Sequence, residues 1–226
     1  MHLPSMILSM NPNFDNLVLS SHVSSDGTSD TRYQTVFVLG PSSSGKTTLC
    51  DALFKDLQLG KSIYIKEVAR TVMKTHGFSR SNTGTYEMQA AIMLAQIEAE
   101  IKVLEHVDEA GHSPGKILLL SDRSAVDPIV YASMPETVDA SEIRQRLIND
   151  VRFQEVLPLY RKSLFIVLQP VKEWVVDDGV RSLEDPWRYN QILARTLDEL
   201  GVPFVELGEG IRDLRERLEI VKRHLG

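Results

Sequence analysis

The sequence predicts a three-layer α/β domain built on a mostly parallel, doubly wound sheet. Two observations carry this. From residue 33 onward, short β-rich runs alternate with longer helical patterns, and strand–helix alternation is the signature of parallel sheets covered by helices. Most of the β runs are also nearly continuous in apolar residues, as strands buried on both faces must be.

The strand candidates are Thr35–Leu39, Ser62–Lys66, Lys116–Ser121, Ser163–Gln169 and Pro203–Leu207. Helical patterns cover Lys46–Leu57, about Thr85 to Ala110, Asp139–Leu157, Glu184–Leu200 and Gly210–His224. The longest carries Met88, Ile92, Ala95, Ala99 and Leu104 on one stripe, and Gly111 stops it. Asp139 with Glu142 has the spacing of a capping box for the next helix. Residues 11–32 are rich in Ser, Asn and Asp without sustained period. The sequence therefore divides into a flexible N-terminal arm, 1–32, and one domain, 33–226.

Composition narrows the function classes. The chain has 226 residues, 42% hydrophobic and 25% charged, enough for one large core. A formal charge of -6 argues against a nucleic-acid backbone as partner. No apolar run reaches the roughly 18–20 residues that span a bilayer. The N-terminal segment lacks a basic lead and is interrupted by Pro4, so it does not read as a secretory signal. The single cysteine, Cys50, permits no internal disulfide and fits a reducing, cytoplasmic compartment. Its place in the first helix reads as packing. The six histidines show no metal-ligand spacing.

The most specific motif is Gly40-Pro41-Ser42-Ser43-Ser44-Gly45-Lys46-Thr47, the full G-x-x-x-x-G-K-[ST] spacing, directly after the first strand run. Glycines at both ends let the backbone wrap round phosphate oxygens, and successive N–H groups point inward. The helix starting at Lys46 adds its positive end. The phosphate-binding set is Gly40, Ser42, Ser43, Ser44, Gly45, Lys46, Thr47 and Thr48. Within it, Lys46 reaches the β- and γ-phosphates and the Thr47 hydroxyl binds Mg²⁺. A nucleoside triphosphate is the expected ligand.

Ligands in such sheets bind outside the carboxyl ends of the strands. Glu67 follows the second strand, either as acceptor of a substrate hydroxyl proton or as a helix-start carboxylate. Asp122 and Arg123 end the third. The carboxylate is placed to organise Mg²⁺ beside Thr47, and the arginine to face phosphates or Glu67. Asp127, before Pro128, reads as structural. Between the last two strands, Asp177-Asp178-Gly179-Val180-Arg181 followed by Arg188 reads either as a flap closing over the triphosphate or as an acidic surface loop. Trp187 reads as a nucleobase platform or as a packed helix-start anchor. The alternating charges of Arg212–Arg223 read as a solvated helix face. The segment Phe78–Gln89, with Phe78 and Tyr86, is the candidate acceptor wall. No base-reading element is visible, so ATP and GTP both stand as donors.

Gly40–Thr47, Glu67-Val68-Ala69-Arg70, the helix around Gln89 to Glu100, Asp122-Arg123-Ser124 and Asp177–Arg181 together resemble the NadR-type P-loop group. That group is AAA-type and kinase-like, and it includes ribosylnicotinamide kinase domains. Asp122-Arg123-Ser124 is also similar to the [DE]-Arg-Ser motif of deoxynucleoside kinases. The resemblance implies a P-loop NTPase with a five-stranded sheet and the phosphate loop on its central strand. It implies Lys46 and Thr47 on triphosphate and Mg²⁺, Asp122 in the metal shell, Glu67 on the substrate hydroxyl, and Arg123 and Arg181 on the transferring phosphoryl group.

The expected activity is Mg²⁺-dependent transfer of the γ-phosphoryl of ATP or GTP to a small, nucleoside- or nucleotide-like hydroxyl acceptor. Two alternatives remain. One is a nucleotide-regulated binding module that hydrolyses slowly; the other is a polynucleotide end kinase, which wants a basic channel the composition does not show.

Overall fold

The computed structural model describes residues 21–23, 29–31, 35–110, 117–135, 137–174 and 185–225. Of the arm expected over 1–32, Ser21–Val23 (β1) and Ser29–Thr31 (β2) form a short antiparallel ladder apart from the main sheet. The rest of that arm lies outside the described residues.

The main sheet contains Thr35–Leu39 (β3), Tyr64–Ile65 (β4), Leu119–Asp122 (β5), Leu164–Leu168 (β6) and Phe204–Leu207 (β7). Its order is β4-β5-β3-β6-β7, and every pairing is parallel, with Val36 opposite both Leu120 and Leu164. β3 is therefore central, and whatever follows it sits at the point where strand order reverses.

Side-chain alternation explains the layers. Phe37, Leu39, Leu119, Phe165 and Val167 face one core, which they share with Met93 and Ile97 of α3 (Tyr86–Ala110), Ile129 of α4 (Val126–Ala132), Tyr160 and Leu193. Val36, Val38, Leu120, Leu164 and Ile166 face the other. There they meet Leu49, Cys50 and Leu53 of α1 (Lys46–Asp56) and Val221 of α8 (Leu214–Leu225). Phe37 stacks on Phe165 at 4.8 Å and meets Tyr160 edge-on at 5.1 Å.

Two short helices lie outside the helical patterns expected from the sequence. α2 (Val68–His76) buries Ala69, Val72 and Met73, then stops at Gly77 with φ +70°. α4 is seven residues, all buried, with Pro128 in its first turn. A helix buried all round carries no amphipathic period to read.

The single helix expected over Asp139–Leu157 is two, α5 (Val138–Ile148) and α6 (Val151–Tyr160). The break falls at Asn149-Asp150, where Asp150 Oδ1 accepts from the backbone N–H of Arg152 and Phe153 and starts a new helix. α5 is capped by Thr137, whose Oγ1 accepts from Ala140 N, so the expected capping box of Asp139 with Glu142 does not form: the cap lies two residues earlier, with Ala140 at the third helical position. α7 (Pro186–Leu200) is capped by Asp185 and ends at Gly201.

Candidate nucleotide-binding site

The phosphate loop leaves the C-terminal end of β3 with strongly constrained backbone. Gly40 has φ +144°, and a Cβ there would lie 2.6 Å from the Leu168 carbonyl oxygen. Gly45, at φ +91°, is the cap residue of α1, and no side chain bonds the helix N–H groups there. Those amides face the cavity as ready anion donors. Lys46 is 6% exposed and donates from Nζ to the Pro41 carbonyl at 2.5 Å, spanning the loop. Burial, with help from the nearby Arg123 cation, pulls its pKa down to about 7.

Thr47 and Asp122 meet as the spacing predicts. Thr47 Oγ1 donates to Asp122 Oδ2 at 2.5 Å, while Asp122 Oδ1 is buried without a hydrogen-bond partner. A hydroxyl and a carboxylate with one orphaned oxygen form a hard-oxygen pair that fits Mg²⁺, whose remaining ligands are characteristically phosphate oxygens and water. No group of three or more His, Cys, Asp or Glu is placed to hold a metal among the described residues.

Beyond Asp122 the chain turns sharply. Arg123 has φ +90°, rare for a non-glycine residue, and its N–H bonds the Val38 carbonyl at 3.0 Å. Its buried guanidinium joins two carboxylates: Nε donates to Glu67 Oε1 at 3.2 Å and Nη1 to Asp127 Oδ1 at 2.5 Å. Arg70 Nε holds the other Glu67 oxygen at 2.7 Å. Asp127 does more than start a helix, because it also accepts from the Tyr189 hydroxyl at 2.6 Å and from Ser124 N.

Behind this turn lies a buried polar chain. Gln96 Nε2 donates to Ser121 Oγ at 3.0 Å and to Glu100 Oε1 at 2.8 Å. Tyr160 donates to Glu100 Oε2 and accepts from Ala125 N. Residues on either side of Asp122–Ser124 are thus tied to the core. Burial pushes the Glu100 carboxyl up to about 8, against the two hydrogen bonds it receives.

One cavity of about 600 Å³ gathers Ser42, Ser43, Gly45, Lys46, Thr47 and Thr48 with Glu67 and Arg123. Arg70, Trp174, Arg212, Leu214 and Arg217 complete its walls, and sequence reasoning assigned none of them to the site. Arg217 corrects the solvated-face reading: it is 2% exposed. The available signal was its helical register, since Leu214, Arg217 and Val221 share a stripe at i, i+3 and i+7.

Other expectations resolve differently. Arg181 and the 177–182 flap lie outside the described residues. Tyr86 does not line the acceptor side, because its ring lies 3.6 Å beneath the Arg146 guanidinium. Phe78 stacks on His76. Of the Phe78–Gln89 wall, Thr83, Met88 and Gln89 line a narrow cleft next to Arg123 and Asp127. Trp187 is 41% exposed, which excludes a packed anchor, and it lines neither cavity. Cys50 is fully buried and burial raises its thiol pKa, as its packing role requires.

No curated protein matches the sequence. Solved structures do match the fold. A NadR protein in complex with NR superposes with TM-score 0.62 at 22% identity, over 87% of this chain and 52% of that one. A NadR complex with NAD and AMP-PNP gives 0.60 at 20%, covering 86% and 50%. The chain therefore spans about half the length of these NadR chains. Deoxyadenosine kinase from M. mycoides, with dCMP and dCDP, gives 0.52 at 14%, over 84% and 98%. Among the described residues, no helix is long and apolar enough to cross a membrane. The fold is that of P-loop kinases, and with a family model matching residues 35–217, the chain belongs to the AAA domain family.

Proposed function

We propose that this protein is a Mg²⁺-dependent kinase that transfers the γ-phosphoryl group of ATP or GTP to a hydroxyl of a small nucleoside-like acceptor. The observation that carries this is Glu67, a carboxylate held by Arg123 and Arg70 in the cavity of the phosphate loop. An NTPase needs a water-positioning group but no second substrate wall. Here Thr83, Gln89 and Gln96 line a cleft of only about 10 Å³, too small for a whole acceptor, which places polar groups behind Arg123 beside the cavity that Glu67 lines. The ligands of the similar structures, NR for NadR and the product dCMP for deoxyadenosine kinase, favour an acceptor of nucleoside type.

In this reading the loop amides and Lys46 hold the terminal phosphates, and Thr47 with Asp122 holds Mg²⁺, which would neutralise phosphate charge. Glu67 takes the proton of the acceptor hydroxyl as its oxygen attacks the γ-phosphorus, and the bond to the β–γ bridging oxygen breaks to release ADP or GDP. Arg123, fixed by Asp127, neutralises charge on the moving group. Arg181 is proposed to add to that neutralisation. Catalysis is positioning and charge stabilisation, since the transition state is loose.

The test is incubation with γ-labelled ATP or GTP, Mg²⁺ and a panel of nucleosides and nucleotide-like vitamins. Stoichiometric label in one acceptor supports the kinase. If nucleotide binds but no acceptor is labelled and hydrolysis stays at background, the nucleotide-regulated binding module replaces it.

A further inference from the structure

Among the described residues, Arg217 is a buried cation without a counter-ion. Its Nε donates to the Ile211 carbonyl at 2.7 Å and its Nη1 to the Ser44 carbonyl at 2.9 Å, 173 residues away in sequence. The guanidinium lies 5.0 Å from the centroid of the Trp174 ring. Among the described residues, the buried Nη2 has no hydrogen-bond partner and no carboxylate lies within ion-pair distance of the guanidinium. An unpaired buried charge is costly unless something anionic completes it. Its place is informative: the side chain lines the same cavity as the phosphate loop, and a Cβ on Gly45 would come within 3.0 Å of Nη1.

Sheet order says which part of a bound nucleotide lies there. Thr47 and Asp122, which the nucleotide-binding reading puts beside the β- and γ-phosphates, meet at the end of β5, so the γ end occupies that flank of the central loop. Trp174 follows β6, while Leu214 and Arg217 follow β7 on the opposite flank. A triphosphate with its γ-group at the first flank directs its α-phosphate and nucleoside toward the second.

We propose that Arg217 is a donor-nucleotide ligand, braced by the Ser44 and Ile211 carbonyls so that Nη2 meets the α-phosphate, with Trp174 closing the same wall. This rests on the nucleotide-binding part of the proposed function and not on phosphoryl transfer. The contact would supply the missing counter-ion, and a hydrogen bond between charged partners is worth about 10- to 100-fold in affinity.

The test compares Arg217→Gln and Arg217→Lys in the full chain by calorimetry with MgATP and MgADP, with melting temperature read on the same samples. Arg217→Gln keeps a donor for a carbonyl but removes the charge; it is expected to weaken both nucleotides at least 10-fold. Arg217→Lys keeps the charge and is expected to recover at least half of that loss on a logarithmic scale. Should Arg217→Gln not fold, Arg217→Met, which removes the buried cation outright, takes its place. Binding within twofold of wild type in the uncharged variant overturns the proposal. So does an Arg217→Lys as weak as its uncharged counterpart, since that leaves only a brace for the loop. Wild-type protein that binds no nucleotide overturns this proposal together with the function it rests on, whereas binding without transfer overturns only the kinase.

Discussion

Arg123 and Asp127, one helical turn apart, form an almost completely buried ion pair, with Nη1 2.5 Å from Oδ1. The same carboxylate also takes the Tyr189 hydroxyl and the Ser124 N–H, so one acid organises three donors. Asp127→Ala leaves a buried guanidinium half-paired and a tyrosine hydroxyl orphaned. The expected cost is about 3–5 kcal/mol in urea denaturation. Asp127→Asn, which keeps an acceptor, is expected to lose less. Equal losses in the two variants would mean that packing, not charge pairing, is what Asp127 contributes.

Lys46 gives a proton-linked signature. With its pKa lowered to about 7, the amine is mostly neutral at pH 8 until phosphate oxygens approach and favour its charged form. ATP binding at pH 8 is therefore expected to take up protons, and at pH 6 to take up far fewer. Calorimetry in two buffers of different ionisation heat reads this directly. Lys46→Ala is expected to abolish the uptake and nucleotide binding while leaving the melting temperature near wild type.

Glu67 separates binding from chemistry. Glu67→Gln is expected to leave the nucleotide Kd within about twofold and to lower transfer by ~10²–10⁴-fold. The check is single-turnover transfer beside equilibrium binding. Unchanged transfer assigns the carboxylate to holding Arg123 and Arg70.

Glu100 makes stability pH-dependent. Its carboxyl is raised to about 8 in the fold against 4.5 as the reference value, so between these values the folded state holds the extra proton. The stability it contributes is complete at low pH and declines as pH rises from about 4.5 to 8. Melting temperatures across pH 5–8.5 are expected to show this decline in wild type, with a flatter profile in Glu100→Gln, whose amide stays neutral throughout.

Much of this architecture was legible along the chain. The continuous apolar runs at Thr35–Leu39 and Leu164–Leu168 announced central strands because burial on both faces leaves no polar alternate positions. The left-handed turns at Gly40 and Gly45 and the meeting of Thr47 with Asp122 were legible because a phosphate-loop motif sets residue types at fixed spacings. The Tyr189 bond to Asp127 was not, because its partners are 62 residues apart and only packing unites them. Nor was the role of Arg217, which in a helix dense with charges differs from its neighbours only by the direction it faces. The Asn149-Asp150 break was written in capping residues, but the apolar period continues across it and hides them.

The central position of β3 separates two recognition problems by half a sheet. Under the proposed function, substitutions after β4, around Glu67, would retune which alcohol is accepted with little effect on the grip on the donor. Substitutions along the opposite edge can do the converse. The two flanks meet at the glycine-bounded turn and are tied together by the Tyr189–Asp127 bond, so under the proposed function a descendant of this chain could change one specificity at a time as long as that tie is kept.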